Sequence, residues 1–118
     1  MTLLLALAVG AAGGVGAALR YLVDNAVPAR IRARYPWGIL LVNLTGSFAL
    51  GALTGAVPGA WLTILGTGLL GGYTTFSTAA VDAARMLLDR RITAGVVGTL
   101  ATMVGCVALA AAGYAITA

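Results

Sequence analysis

Hydrophobic residues fill four long segments of this chain, and the few charged residues fall between these segments or near their ends. A helix needs about 20 consecutive apolar residues to cross a hydrocarbon core of roughly 30 Å. Each segment reaches that length, so the pattern predicts an all-α integral membrane protein with four transmembrane helices. The predicted spans cover residues 3–23, 37–57, 60–88 and 93–117 of a single domain, residues 1–118.

The third segment contains a polar stretch near its middle, from Gly71 to Thr78, with two glycines and four serine or threonine residues. Irregular backbone at that depth is tolerated only where it is buried in protein or lines a water-filled site. A broken helix would expose carbonyl groups suited to a cation such as Na⁺ and amide groups suited to an anion. A simple glycine kink is the alternative. We predict that the third helix is broken within the membrane.

The composition agrees with a lipid environment, because 61% of the residues are hydrophobic and only 8% are charged. The formal net charge of +4 comes from seven basic residues, all of them arginines, against three aspartates. Most of the arginines lie in the connecting segments, which favours membrane orientation over nucleic-acid binding as their role. The positive-inside rule predicts a protein of the cell membrane with cytoplasmic arginine-rich loops and both termini outside. The loop arginines are Arg30, Arg32, Arg34, Arg90 and Arg91.

Most side chains that serve in catalysis are missing from the chain. It has no His and no Glu, and its single cysteine, Cys106, lies in an apolar run without a second soft ligand nearby. Acid–base, covalent and metal-assisted catalysis therefore lack their usual groups. We predict that the protein is not an enzyme.

Two polar residues within the predicted spans are candidates for a functional site. Arg20 lies one turn from the end of the first span, where it either pairs with Asp24 or attracts an anion at a vestibule. Asn43 lies about one-third of the way into the second span and shares a helical face with Ser47. An amide in hydrocarbon needs a partner or water, so Asn43 either makes an interhelical hydrogen bond or lines an aqueous path.

Three stretches in the expected order resemble the Fluc (CrcB) family of fluoride channels. They are residues 13–21 (GGVGAALRY), 36–48 (PWGILLVNLTGSF) and 68–78 (GLLGGYTTFST). The resemblance implies a fluoride-selective ion channel subunit that mediates passive fluoride efflux and reduces the toxicity of cytoplasmic fluoride. It also implies an antiparallel dimer with a structural Na⁺ at the interface, held by the backbone carbonyls of Gly71 and Thr74. The pore and anion residues that it suggests are Arg20, Asn43, Phe76, Ser77, Thr78 and Thr102.

Three features depart from the pattern of the family. Ala79 occupies the place of a second phenylalanine, and the fourth span has Thr99 and Thr102 but no tyrosine before Tyr114. The strong arginine bias also predicts one orientation only, whereas homodimeric members insert both ways. We therefore expect a partner of opposite orientation, a paralogous subunit, with a homodimer as the alternative.

Two other membrane functions stand as alternatives to a channel. A small multidrug-type transporter has a similar size and also forms antiparallel dimers, but it uses a membrane-embedded glutamate that this chain lacks. A non-conducting membrane assembly subunit would use the glycine-rich helix faces for contact and would need neither Asn43 nor the polar stretch.

Overall fold

The protein is all-helical in a computed structural model that describes residues 2–118, and no strand occurs within them. Seven α-helices and one π-helical segment follow one another along the chain. The elements are α1 (Leu3–Ala26), α2 (Ala29–Arg32), α3 (Trp37–Ala56), α4 (Gly59–Leu62), the π-helical segment (Thr63–Leu70), α5 (Gly71–Tyr73), α6 (Phe76–Leu88) and α7 (Ile92–Thr117).

Three of the helices, α1, α3 and α7, are long and apolar enough to cross a membrane. The molecule extends 47 Å along its longest axis, which suits a bilayer of about 40–45 Å including the headgroups. Helix α1 continues to Ala26, three residues beyond the predicted span, and in its last turns the Asn25 side-chain amide donates to the carbonyl of Tyr21 at 2.8 Å. Pro28 follows the end of that helix closely, and a proline disfavours helical backbone in the residue before it.

The region of the predicted third span is built from several pieces. Residues 59–73 are helical throughout, and α6 starts at Phe76. Between them, Thr74 and Thr75 have extended backbone, with φ/ψ of −77°/159° and −149°/121°. Gly71 itself is helical, with φ −62° and ψ −37°. The interruption therefore falls on two threonines, and a glycine kink is not its cause.

Glycines instead allow the backbones of neighbouring helices to approach closely, as in membrane bundles. A methyl group placed on Gly72 would overlap the carbonyl of Gly13, and one placed on Gly16 would overlap the carbonyl of Leu69. Helix α1 therefore packs directly against the π-helical segment and α5. Gly10 has open space around it, so the sequence pattern of small residues on α1 includes positions that make no contact within the chain.

Helices α3 and α7 form the most extensive pairing and run alongside each other in the same direction. A methyl group on Gly51 would overlap the carbonyl of Ala110. Near the end of both helices, the Thr117 hydroxyl donates to the Ala52 carbonyl at 2.7 Å. At the opposite end, the Arg91 guanidinium donates to the carbonyl of Arg34. The two arginine-containing connections therefore meet at one end of the molecule.

The close approach of α1 predicts that Gly16→Ala destabilises the fold, whereas Gly10→Ala does not. The added methyl group of Gly16→Ala forces the backbone at Leu69 away, and overpacking of this kind costs about 1–3 kcal/mol. Gly10→Ala lies in the same helix with nothing within 4 Å of the added atom, so it is the matched control. Unfolding in detergent micelles measures both variants, and equal stabilities would contradict the packing of α1.

Candidate functional site

Asn43 holds the backbone of Thr75 through two hydrogen bonds. Its Nδ2 donates to the Thr75 carbonyl at 2.9 Å, and its Oδ1 accepts from the Thr75 amide at 2.9 Å. Both residues are buried, with 9% and 7% of their surfaces exposed. A buried side-chain amide without hydrogen-bond partners would destabilise the fold. The backbone of Thr75 supplies partners for both groups of the Asn43 amide. The interhelical hydrogen bond considered for Asn43 is present, and its partner is main chain.

The hydrogen bonds at the interruption deprive two carbonyl groups of their helical donors. In a continuous α-helix, the Thr75 amide would donate to the Gly71 carbonyl and the Thr78 amide to the Thr74 carbonyl. Here the Thr75 amide donates to Asn43 Oδ1, and the Thr78 amide donates to the Thr75 hydroxyl at 3.2 Å. The carbonyls of Gly71 and Thr74 are therefore open to another ligand.

Thr75 also begins helix α6 as its N-cap residue. Its hydroxyl accepts from the Thr78 amide and donates to the Thr78 hydroxyl at 3.2 Å, a typical way to satisfy the first amides of a helix. The first turn of α6 then presents Phe76, Ser77 and Thr78 at the surface, with Phe76 88% exposed. Thr75 was not among the site residues predicted from the sequence, although threonine is a preferred N-cap residue.

A second contact joins α3 to the residue just before the interruption. The hydroxyls of Thr45 and Tyr73 lie 2.9 Å apart. The Thr45 hydroxyl also lies 2.7 Å from the carbonyl of Leu41 in its own helix. Helix α3 therefore fixes the chain both before and after Thr74, and the role of Tyr73 in this contact was not predicted from the sequence.

A groove of about 970 Å³ runs beside the interruption, between α3, α6 and α7. Its lining is mostly apolar and includes the predicted pore residues Asn43, Phe76 and Thr102. Gly71 and Thr74, the predicted cation ligands, line the same groove. The interruption and the groove are therefore one continuous site.

Two of the remaining predicted residues lie in a separate pocket of about 300 Å³. Arg20 and Thr78 line it together with Asp24 and Ile39. Arg20 therefore lies near both Asp24 and the first turn of α6. Ser77 is exposed and lines neither the pocket nor the groove.

Side-chain metal ligands do not gather anywhere in residues 2–118, where no three His, Cys, Asp or Glu residues form a group. A hard cation such as Na⁺ prefers oxygen ligands, and backbone carbonyls supply them. The carbonyls of Gly71 and Thr74, which lack helical donors, fit that chemistry.

Comparison with protein families and curated proteins gives a consistent result. The family model described as CrcB-like protein, Camphor Resistance (CrcB), matches residues 7–114. The chain is 42% identical over 118 residues to "Fluoride-specific ion channel FluC 1" of Leifsonia xyli, covering 96% of this chain and 85% of the relative. It is 40% identical to "Fluoride-specific ion channel FluC 2" of Mycobacterium bovis over 93 residues, 78% of this chain and 74% of the relative. A third relative, "Fluoride-specific ion channel FluC 1" of Rubrobacter xylanophilus, is 45% identical over 97 residues, 77% of each chain.

The two hydrogen bonds of Asn43 predict that Asn43→Ala frees the backbone of Thr75. Each buried group that loses its partner costs about 1–3 kcal/mol. Hydrogen exchange of the Thr75 amide, followed by NMR in micelles, should accelerate at least about tenfold, since 1.4 kcal/mol is a factor of ten. Asn25→Ala is the control, because that amide bonds its own exposed helix end. Unchanged exchange at Thr75 in Asn43→Ala would contradict the role of Asn43.

Proposed function

The chain belongs to the CrcB family, and we propose that it is a subunit of a fluoride-selective ion channel. It mediates passive efflux of fluoride and thereby reduces fluoride toxicity in the cytoplasm. Its relatives are named as fluoride-specific channels, and the chain is not an enzyme. The observation that carries the proposal is the interruption held by Asn43 beside a long groove. This polar element has no evident use in a purely structural helix bundle.

The site has the chemistry that a small, strongly hydrated anion requires. A pore for fluoride replaces lost water with short hydrogen bonds from amides and hydroxyls, and Asn43 offers such a group inside the groove. The edge of the Phe76 ring carries partial positive charge and can face an anion. Several weak sites in series let an ion enter and leave. Ser77 and Thr78 supply further polar contacts in this proposal, Thr102 lines the anion path, and Arg20 attracts the anion at a vestibule.

The carbonyls of Gly71 and Thr74 would hold a structural Na⁺ in this proposal. The support is that the amides expected to bond these carbonyls donate to Asn43 and to the Thr75 hydroxyl instead. When bound, Na⁺ supplies positive charge that ties the interrupted backbone to its surroundings. Asn43 keeps both carbonyls available by holding the backbone of Thr75 away from helical geometry.

Residues 59–88 complete a four-span topology as two half-helices that meet inside the membrane. Both termini lie outside and the arginine-rich connections lie in the cytoplasm, in agreement with the contact between Arg34 and Arg91 at one end. The active form is an antiparallel dimer. The 88% exposure of Phe76 supports it, since a pore residue needs a second wall.

The partner is a paralogous subunit of opposite orientation, with a homodimer as the alternative. The arginine bias supports a single orientation for this chain. The numbered names FluC 1 and FluC 2 among the relatives support the existence of paralogues. Ala79 lines the groove, and its small side chain leaves room for an aromatic residue from the partner.

Fluoride efflux from liposomes tests the proposed function. The chain is reconstituted alone and together with a co-encoded paralogue, if one is present, and the release of fluoride and of chloride is measured. We expect fluoride release without chloride release, and we expect it to require the paralogue. Conduction by the chain alone would favour the homodimer, whereas release of chloride but not fluoride would overturn the function.

Removal of Na⁺ tests the cation site. Exchange of Na⁺ for a bulky organic cation such as N-methyl-D-glucamine should weaken the dimer and abolish fluoride efflux, because that cation cannot fit between two carbonyls. Size-exclusion chromatography and efflux measure the two effects. Thr74→Val is the matched control, since it removes the hydroxyl and keeps the carbonyl, so its Na⁺ dependence should equal that of the wild type. Full efflux and an intact dimer without Na⁺ would contradict the site.

A further inference from the structure

Most hydroxyl groups of the groove have already donated their only proton to the protein. The hydroxyls of Thr74, Thr99 and Thr102 donate to the carbonyls four residues earlier, at distances of 2.6–2.9 Å. The Thr75 hydroxyl donates to that of Thr78. A hydroxyl carries one proton, so these four side chains present acceptor lone pairs to the groove. Lone pairs do not bind fluoride.

Three amide or hydroxyl side chains of the groove keep a proton for an anion. Asn43 uses one of its two Nδ2 protons for the Thr75 carbonyl and retains the other. The hydrogen bonds found within residues 2–118 involve neither the Ser47 hydroxyl nor the Tyr35 hydroxyl. Both of these residues line the groove. A phenol is more acidic than an aliphatic hydroxyl, so Tyr35 is the stronger donor of the two.

Contacts from three directions set the position of Tyr35. Its ring lies against Trp37, with the centroids 4.9 Å apart and the planes tilted by 50°. Its hydroxyl lies over Gly98 of α7, where any side chain would overlap it. The Arg91 guanidinium donates to the carbonyl of Arg34, the residue just before. Gly98 on α7 thus leaves room for the phenol. Arg91 fixes the position of the backbone at Arg34, next to Tyr35.

We propose that the Tyr35 hydroxyl donates a hydrogen bond to fluoride at the arginine-rich end of the groove. Tyr35 precedes α3, and Asn43 lies six residues after the first residue of that helix, Trp37, which is about 9 Å along the helix axis. The two residues therefore offer successive donors between the charged end and the interruption. Nearby arginines raise the local concentration of anions. The inference rests on the proposed function, because it names a specificity residue of the same groove.

Tyr35→Phe tests this role, because it keeps the ring on Gly98 and removes only the hydroxyl. Loss of a hydrogen bond to a charged group should raise the half-saturating fluoride concentration for efflux about tenfold, with little change in the maximal rate. The measurement uses liposomes containing the conducting assembly of full-length chains. Tyr114→Phe is the matched control, since Tyr114 lies on α7 outside the groove and is 49% exposed. That variant should match the wild type.

Gly98→Ala gives an independent test, because its methyl group displaces the phenol and leaves the hydroxyl intact. It should raise the half-saturating concentration as well, and adding Tyr35→Phe to it should raise it little further, as expected for coupled sites. A Tyr35→Phe variant with wild-type concentration dependence would overturn the inference and leave the proposed function standing, even if Gly98→Ala impairs efflux. A wild type that conducts no fluoride would overturn both.

Discussion

The pair of hydrogen bonds between Asn43 and the backbone of Thr75 is the interaction on which the site depends. A helix can stop within a membrane only if its unpaired amides and carbonyls find other partners. Asn43 matches one amide and one carbonyl at once, at 2.9 Å each, in a buried place. The Thr75 hydroxyl then satisfies the next exposed amide. One side chain thus stabilises the extended backbone and sets where α6 begins.

The same interaction links the two ligands of the proposed channel. By occupying the Thr75 amide, Asn43 leaves the Gly71 carbonyl without its helical donor, and the Thr75 cap does the same for the Thr74 carbonyl. These carbonyls suit a cation, whereas the second Nδ2 proton of Asn43 suits an anion. Close packing of α1 on α5, through Gly13 and Gly72, keeps the interrupted segment from drifting. The proposed cation site, the proposed anion path and the helix packing therefore share one short stretch.

The sequence allowed much of the architecture to be predicted and less of the site. The ends of α3 and α7 lie within one residue of the predicted spans, because long apolar runs bounded by proline or arginine leave few alternatives. The interruption was predicted somewhere between Gly71 and Thr78, and the extended backbone occupies Thr74 and Thr75 within that stretch. Its true position depends on Asn43, 32 residues away, and local patterns do not contain such a partner. The position of the Tyr35 hydroxyl over Gly98 also depends on a tertiary contact, which local sequence patterns do not contain.

An experimental structure of the conducting assembly in a lipid bilayer, with fluoride and Na⁺ present, tests the central claim most directly. The account predicts that both Asn43 hydrogen bonds to Thr75 persist at about 2.9 Å, with cation density between the carbonyls of Gly71 and Thr74. A continuous helix through Thr74 and Thr75, with the Thr75 amide bonded to the Gly71 carbonyl, would contradict it.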